Sequence, residues 1–176
     1  MKIIYGDYKF VSNFLEKDNV KKKLNLSIGF FDGFHFMHEK IIKSLKDDGY
    51  LSAIITFDNN YKTDLEINSL GEKIYYFKEF CVDLLIILKF DLVLKQLTYD
   101  KFNYFLEKLN VNKLYVGSNF RYGFNNEGNI DELSKKFNVV SFALNDNVNS
   151  TYLRNLLNDN KFDEYLIYTS SYIIKG

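Results

Sequence analysis

Proline is absent from this chain of 176 residues, cysteine occurs once, and histidine and arginine occur twice each. The missing proline, against a usual share of about 5%, goes with abundant Asn, Lys, Ile, Phe and Tyr. It marks codon usage pressed toward A and T and carries no functional meaning. A single cysteine excludes an internal disulfide. Cys81, in Glu79-Phe80-Cys81-Val82-Asp83-Leu84, reads as a small buried apolar residue leading into a strand. Formal net charge is zero and no long block of one sign occurs. That disfavours broad nucleic-acid binding and attraction to a membrane surface, and leaves a nucleotide-sized ligand open. The longest apolar run, residues 84–88, is far too short to cross a bilayer. Met1-Lys2-Ile3-Ile4-Tyr5-Gly6-Asp7 lacks the features of a secretory signal. A soluble, reducing, cytoplasmic setting is therefore expected.

What is present is ample core material: 47% hydrophobic and 18% aromatic residues, enough for one domain that buries roughly two thirds of its unfolded surface. Short runs rich in Ile, Val and Leu predict strands over 24–30, 52–57, 82–87, 113–116 and 139–142. Stretches with helical spacing lie at 39–46, 71–80, 99–109, 131–137 and 151–157. Alternation of this kind predicts an α/β fold, a doubly wound parallel sheet in a single domain with helices on both faces and strands buried on both sides. Ligands of such sheets bind beyond the carboxyl ends of the strands. The polar stretches 125–129 and 145–149 read as loops.

Every histidine and arginine falls into one of three clusters at those strand ends. The first is Gly29-Phe30-Phe31-Asp32-Gly33-Phe34-His35-Phe36-Met37-His38. Gly29 and Gly33 allow a tight turn, the amides opening the next helix can face an anion, and His35 and His38 share one side of that helix start. Surface histidines or half of a zinc site are the alternatives, although zinc would then have to complete its shell with carboxylates. The second is Gly117-Ser118-Asn119-Phe120-Arg121-Tyr122-Gly123, an amide and a guanidinium on a flexible frame. In the third, Ser150-Thr151-Tyr152-Leu153-Arg154, Ser150 or Thr151 is suited to cap a helix, with Arg154 one turn further on the same side. Taken alone, the second cluster is equally well a self-capped turn with Arg121 in solvent, and the third a simple capped helix. The scarcity of arginine matters because its planar fork grips phosphate as an ammonium cannot.

In their order and spacing the three clusters resemble the adenylyltransferase domain of bacterial FAD synthetases, within the nucleotidylyltransferase superfamily. The second cluster is the part most specific to the flavin branch. Similarity extends to Thr56-Phe57-Asp58, to residues 90–102 and to the end, Tyr172-Ile173-Ile174-Lys175-Gly176. The resemblance implies a Rossmann-like fold and transfer of AMP from ATP to FMN, giving FAD and pyrophosphate with Mg²⁺ carried on the substrate. The FMN phosphate would attack the α-phosphorus in line, with no covalent enzyme intermediate. It implies catalytic roles for His35, His38, Asn119 and Arg154. ATP contacts would come from Gly29, Phe30, Phe31, Asp32, Gly33, Gly117, Ser150 and Thr151, and flavin contacts from Phe57, Asp58, Asn59 and Arg121, with no protein metal ligand assigned.

Three departures accompany the resemblance. Met37 stands where the family has glycine. Asn59-Asn60-Tyr61-Lys62 stands where the family carries prolines. The chain also ends about where a riboflavin kinase module commonly begins, so riboflavin phosphorylation is expected to be absent. Two other readings stay open: a weakened module that binds flavin or adenine nucleotide, and a nucleotidylyltransferase with another phosphate acceptor.

Overall fold

The computed structural model describes residues 1–18, 22–59, 66–143 and 149–169. Six strands form one sheet: β1 (Lys2–Gly6), β2 (Leu24–Ile28), β3 (Leu51–Phe57), β4 (Leu84–Leu88), β5 (Val111–Gly117) and β6 (Val139–Phe142). Their order is β1-β4-β3-β2-β5-β6, and every pairing is parallel. The helices between them are α1 (Tyr8–Asp18), α2 (Phe36–Ser44), α3 (Leu70–Glu79), α4 (Leu92–Lys95), α5 (Tyr99–Glu107) and α6 (Ile130–Ser134), and α7 (Ser150–Asn158) and α8 (Phe162–Thr169) follow β6. The doubly wound α/β expectation is met. Among the described residues no helix is long and apolar enough to cross a membrane.

The pleat sorts side chains onto two cores, since successive residues point to opposite faces. Leu24, Leu26 and Ile28 share one face with Ala53, Ile55 and Phe57, with Leu84, Ile86 and Leu88, and with Leu114 and Val116. There they meet Val11 and Leu15 of α1 and Phe102, Phe105 and Leu106 of α5. Ile54, Leu85, Ile87 and Tyr115 face the other way, onto Ile41 and Ile42 of α2 and Phe77 of α3. Each such aliphatic side chain contributes roughly 1.5–3 kcal/mol on full burial. Strands β2 and β4 are buried at every position. In β2 the second face is polar, and it is satisfied locally: Ser27 Oγ donates to Tyr115 O at 2.8 Å and Asn25 Nδ2 to Leu45 O at 3.0 Å.

Strand β1 and helices α1, α4 and α8 had no counterpart among the expected elements. Strand β1 is an edge strand with Ile4 as its one buried residue, so its apolar signal is short. Helix α1 carried a legible signal in Asp7, whose Oδ1 accepts from Phe10 N at 2.8 Å, followed by Val11 and Leu15 one turn apart.

Cys81 corrects a sequence expectation, because it is exposed. It closes α3: Cys81 N donates to Lys78 O at 2.8 Å and Val82 N to Phe77 O at 3.0 Å, the bonding of a Schellman motif. The residue after the cap takes the left-handed conformation in that motif, here with φ of 52°, and its side chain turns to solvent. The buried apolar residue that starts the next strand is Val82 instead.

The chain order reverses between β2 and β5: β3 and β4 lie on one side of β2, and β5 and β6 on the other. A crevice opens at the carboxyl ends of the strands at such a switch point. The loop 145–149 and the family-divergent stretch 59–62 fall mostly outside the described residues, and the terminal stretch 172–176 wholly so.

Candidate active site

Strand β2 ends at Ile28, two residues short of the expected boundary, and α2 begins at Phe36, three residues early. The intervening loop is compact. Phe31 is 3% exposed and holds φ at 51°, a costly conformation for a bulky residue. Gly33 has φ of 75°, and a Cβ there would meet Ile67 Cδ1 at 2.8 Å and Leu153 Cδ1 at 2.9 Å. The left-handed φ favours glycine, and any Cβ would also have to displace those two methyl ends.

His35 is the N-cap of α2 in extended conformation and makes no side-chain cap bond, so the first amides of the helix are uncapped by side chains. His38 follows one turn on. The two imidazoles stack at 3.9 Å between ring centroids, with Phe31 and Phe34 against His38 at 5.2 and 6.1 Å. Burial lowers His35 to a pKa of about 4. Burial, then the neighbouring His35, then the charge of Lys73 hold His38 well below the ordinary histidine value. Both rings are uncharged at neutral pH, and each keeps one N–H donor.

This arrangement makes stability depend on pH. Below the ordinary histidine pKa the unfolded chain takes up a proton that folded His35 refuses until about pH 4. Stability present at neutral pH is expected to fall by roughly 3 kcal/mol from His35 between pH 7 and pH 4, with His38 acting in the same direction. Urea denaturation across that range checks it, and His35→Gln should flatten the slope.

Asp32 ties the site together. Its Oδ1 accepts from Ile67 N at 2.9 Å and Asn68 N at 3.0 Å, and its Oδ2 from Arg154 Nη2 at 2.6 Å. Its backbone oxygen accepts from Ser150 Oγ at 2.6 Å. The cap of α7 is Asn149, whose side chain accepts from Tyr152 N at 2.9 Å. This corrects the expectation that Ser150 or Thr151 caps that helix. As the first helical residue, Ser150 has its hydroxyl turned across to the loop after β2 instead.

The second cluster is not a flexible frame. Tyr122 and Gly128 exchange backbone bonds of 3.1 and 2.9 Å, and Phe124 N donates to Leu97 O at 2.8 Å. Glu127 Oε1 accepts from Tyr99 N at 3.1 Å. Gly123, with φ of 78°, lies so close that a Cβ would sit 2.8 Å from Tyr99 N. Asn119 and Arg121 project from this pinned loop, exposed.

Two cavities adjoin at the crevice. One, about 680 Å³, is lined by His35, Met37, His38, Gly117, Ser150 and Thr151 among others. The other, about 530 Å³, is rich in aromatic residues, Phe57, Phe90, Phe102, Tyr122 and Phe124 among them, with Arg121 at its wall. They share Ile28, Gly29, Phe30, Asn119 and Phe120. Both volumes suit a drug-sized or nucleotide-sized ligand. The Tyr122 hydroxyl donates to Asn103 Oδ1 at 2.8 Å, and burial pushes its pKa up to about 12.

Most residues singled out from sequence therefore meet here. Phe31 lines the first cavity, whereas Asp32 does not, and Arg154 turns inward to Asp32. Asp58 is engaged in structure: its Oδ1 accepts from Phe90 N at 2.9 Å and its Oδ2 from the Tyr5 hydroxyl at 3.2 Å. Asn59 is exposed just beyond β3 and lines neither cavity. Among the described residues no group of three or more His, Cys, Asp or Glu could hold a metal ion. Sequence reasoning missed Asn149, the segment 66–68 that crosses Asp32, and the buried Lys73.

Fold and crevice define the class: a Rossmann-like, doubly wound α/β protein with a crevice at the switch point between β2 and β5. Residues 17–155 match the FAD synthetase family, and the chain belongs to that family. A bifunctional riboflavin kinase/FMN adenylyltransferase of Buchnera aphidicola subsp. Schizaphis graminum is 30% identical over 81% of this chain and 54% of its own length. One from Listeria monocytogenes is 25% identical over 93% of this chain and 58% of its own. The chain thus spans a little over half the length of these curated relatives. Among solved structures, one titled a macrolide-efflux protein from Streptococcus pneumoniae superposes with a TM-score of 0.79 at 17% identity, over 97% of this chain and 62% of that one. Pantoate-β-alanine ligase from Francisella tularensis superposes with a TM-score of 0.57 at 14% identity, over 95% of this chain and 78% of that one. These two likenesses concern the fold alone.

Proposed function

We propose that this chain transfers the adenylyl group of ATP to the phosphate of FMN, giving FAD and pyrophosphate. The observation that carries this reading is the pair of adjoining cavities. The aromatic one suits a planar flavin ring, the one with a helix N-terminus and two histidines suits a triphosphate, and they meet at Gly29 and Asn119. An FMN phosphate at that junction has an oxygen in line with the ATP α-phosphorus. The new P–O bond forms as the bond to pyrophosphate breaks, and no covalent enzyme intermediate is required.

His35, His38 and the first amides of α2 hold the phosphates, Ser150 and Thr151 flank them, and Arg154 backs them from its pair with Asp32. Asn119 bridges the phosphates being joined. Phe57 and Arg121 serve the flavin side, while Asp58 fixes the wall by holding Phe90. Mg²⁺ arrives with ATP as part of the substrate, held by phosphate oxygens and water.

The test is chromatographic: purified chain with ATP and Mg²⁺, given FMN or riboflavin. FMN is expected to yield FAD. Riboflavin is expected to yield none, because it lacks the attacking phosphate. Binding of FMN without FAD would turn the reading to a binding module, a possibility that Met37, 5% exposed in the wall of the nucleotide cavity, keeps in view. ATP consumption with another mononucleotide in place of FMN would indicate a different acceptor.

A further inference from the structure

Phe31 breaks a backbone rule inside the crevice. Its φ of 51° lies in the left-handed region, which glycine and asparagine enter readily and a bulky side chain does not. Among the described residues, the others of that kind outside glycine are four asparagines, one aspartate and Cys81, all with short side chains. Strain of this sort persists only where the surroundings over-determine it, and it gathers at functional sites. Here the next residue supplies the restraint: Arg154 Nη2, Ser150 Oγ, Ile67 N and Asn68 N all donate to Asp32 within 3.0 Å.

The position of the Phe31 ring gives the strained turn a purpose. Phe31 is 3% exposed, yet it lines the cavity that holds the two histidines. Its ring lies so near the Gly29 backbone that a Cβ there would sit 3.3 Å from Phe31 Cε2. Gly29 lines both cavities, so the ring lies where they join. The same ring packs on the His38 imidazole at 5.2 Å between centroids, and Phe77 meets it edge-on at 5.3 Å. Phe34 supplies the contrast. It is 2% exposed and 6.1 Å from His38, but it lines neither cavity and has no left-handed backbone. Phe34 fills the core, whereas filling the core gives no reason to hold Phe31 in a strained turn.

We propose that Phe31 is a positioning residue of the phosphate site. Its ring is a fixed platform between Gly29 and His38 that sets the tilt of the His38 imidazole, and through the ring stack that of His35, relative to the junction of the two cavities. The bonds from α7 and from segment 66–68 to Asp32 hold the platform in place. This rests on the reading of the histidine pair as phosphate-holding groups.

The test takes Phe31→Leu, which keeps apolar bulk but loses the planar ring, with Phe31→Gly and Phe31→Ala beside it. The chain has only two histidines, so the inter-ring NOE expected from imidazoles 3.9 Å apart can be followed in the whole chain. In folded Phe31→Leu that NOE is expected to fade. ATP affinity and kcat for FAD formation are each expected to fall about tenfold, with KM for FMN unchanged. Phe31→Gly is expected to lose the NOE likewise, yet to unfold at higher urea than Phe31→Ala, because glycine accepts a φ of 51° and alanine does not. A folded Phe31→Leu that keeps the parent's NOE and ATP affinity overturns the proposal. So does failure of both the leucine and the glycine variant to fold, which would make Phe31 a core residue only. Greater stability of the alanine variant than of the glycine variant also overturns it, since the strained turn would then be absent in solution. The NOE and ATP binding need no acceptor substrate, so a parent chain that bound nucleotide without making FAD would fail the functional reading and still decide this one.

Discussion

Asp32→Asn is expected to lower stability by about 3 kcal/mol and to reduce FAD formation by about 10²-fold. The carboxylate is 1% exposed and accepts on both oxygens, from Arg154 on one side and from two backbone amides on the other. An asparagine keeps the shape but must turn an NH₂ toward one of those donor sets. Arg154 loses its counter-charge in either orientation, in a setting where its own side chain is 16% exposed, and either it or the segment 66–68 also loses its acceptor. Both losses loosen the loop that carries His35, and small misplacements of phosphate-holding groups are costly in rate. Urea denaturation and FAD synthesis check the two parts. Removing Arg154 as well, with Arg154→Met, should cost less than the sum of the single changes, because the uncompensated charge disappears. Additive losses would show that the pair is not coupled.

His38→Ala is expected to reduce FAD formation by about 10²- to 10³-fold, the usual cost of deleting a positioned donor to developing charge. Most of the loss should appear in turnover, with FMN affinity nearly unchanged, since His38 lines the first cavity and not the aromatic one. Because burial keeps both histidines uncharged near neutrality, the rate of the parent chain should be flat through pH 6–8 as far as these groups decide it. A fall in rate with an inflection near pH 6.5 would mean that the site works with a charged imidazole, contrary to the buried geometry. His38→Asn, which restores an N–H donor, should recover part of the loss.

Much of the fold was legible because the strands are short, apolar and separated by helical spacing. Five of the six strands and the helices from α2 to α7, apart from the single-turn α4, lie where periodicity put them, with ends shifted by a few residues. The exceptions have physical causes. Strand β1 gains its place by pairing with β4, not by burying its own side chains, and pairing is invisible to a one-dimensional pattern. Cys81 looked apolar and buried by its neighbours, but the helix-closing motif turned it outward. At the site the start of α2 moved three residues toward the N-terminus, to follow directly on His35, which caps it.

The site was legible as chemistry more than as contacts. Two histidines and two arginines confined to strand ends beside glycine or Ser/Thr pointed to anion binding, and the crevice does gather His35, His38, Asn119, Ser150 and Thr151. Which groups face one another could not be read. Arg154 is drawn to Asp32, 122 residues away in sequence, Asp58 is spent on holding Phe90, and Lys73 reads as an ordinary helix-surface lysine until packing encloses it.

Local order along the chain determined the element types, the parallel α/β class and the candidate anion-binding residues, because propensity, capping and periodicity act over one or two turns. Tertiary structure alone decided which strands are neighbours, where the chain reverses to open the crevice, and which charges lie buried beside the histidines. Those outcomes depend on groups distant in sequence brought within a few ångströms, where desolvation and close hydrogen bonding set the protonation and orientation of each side chain.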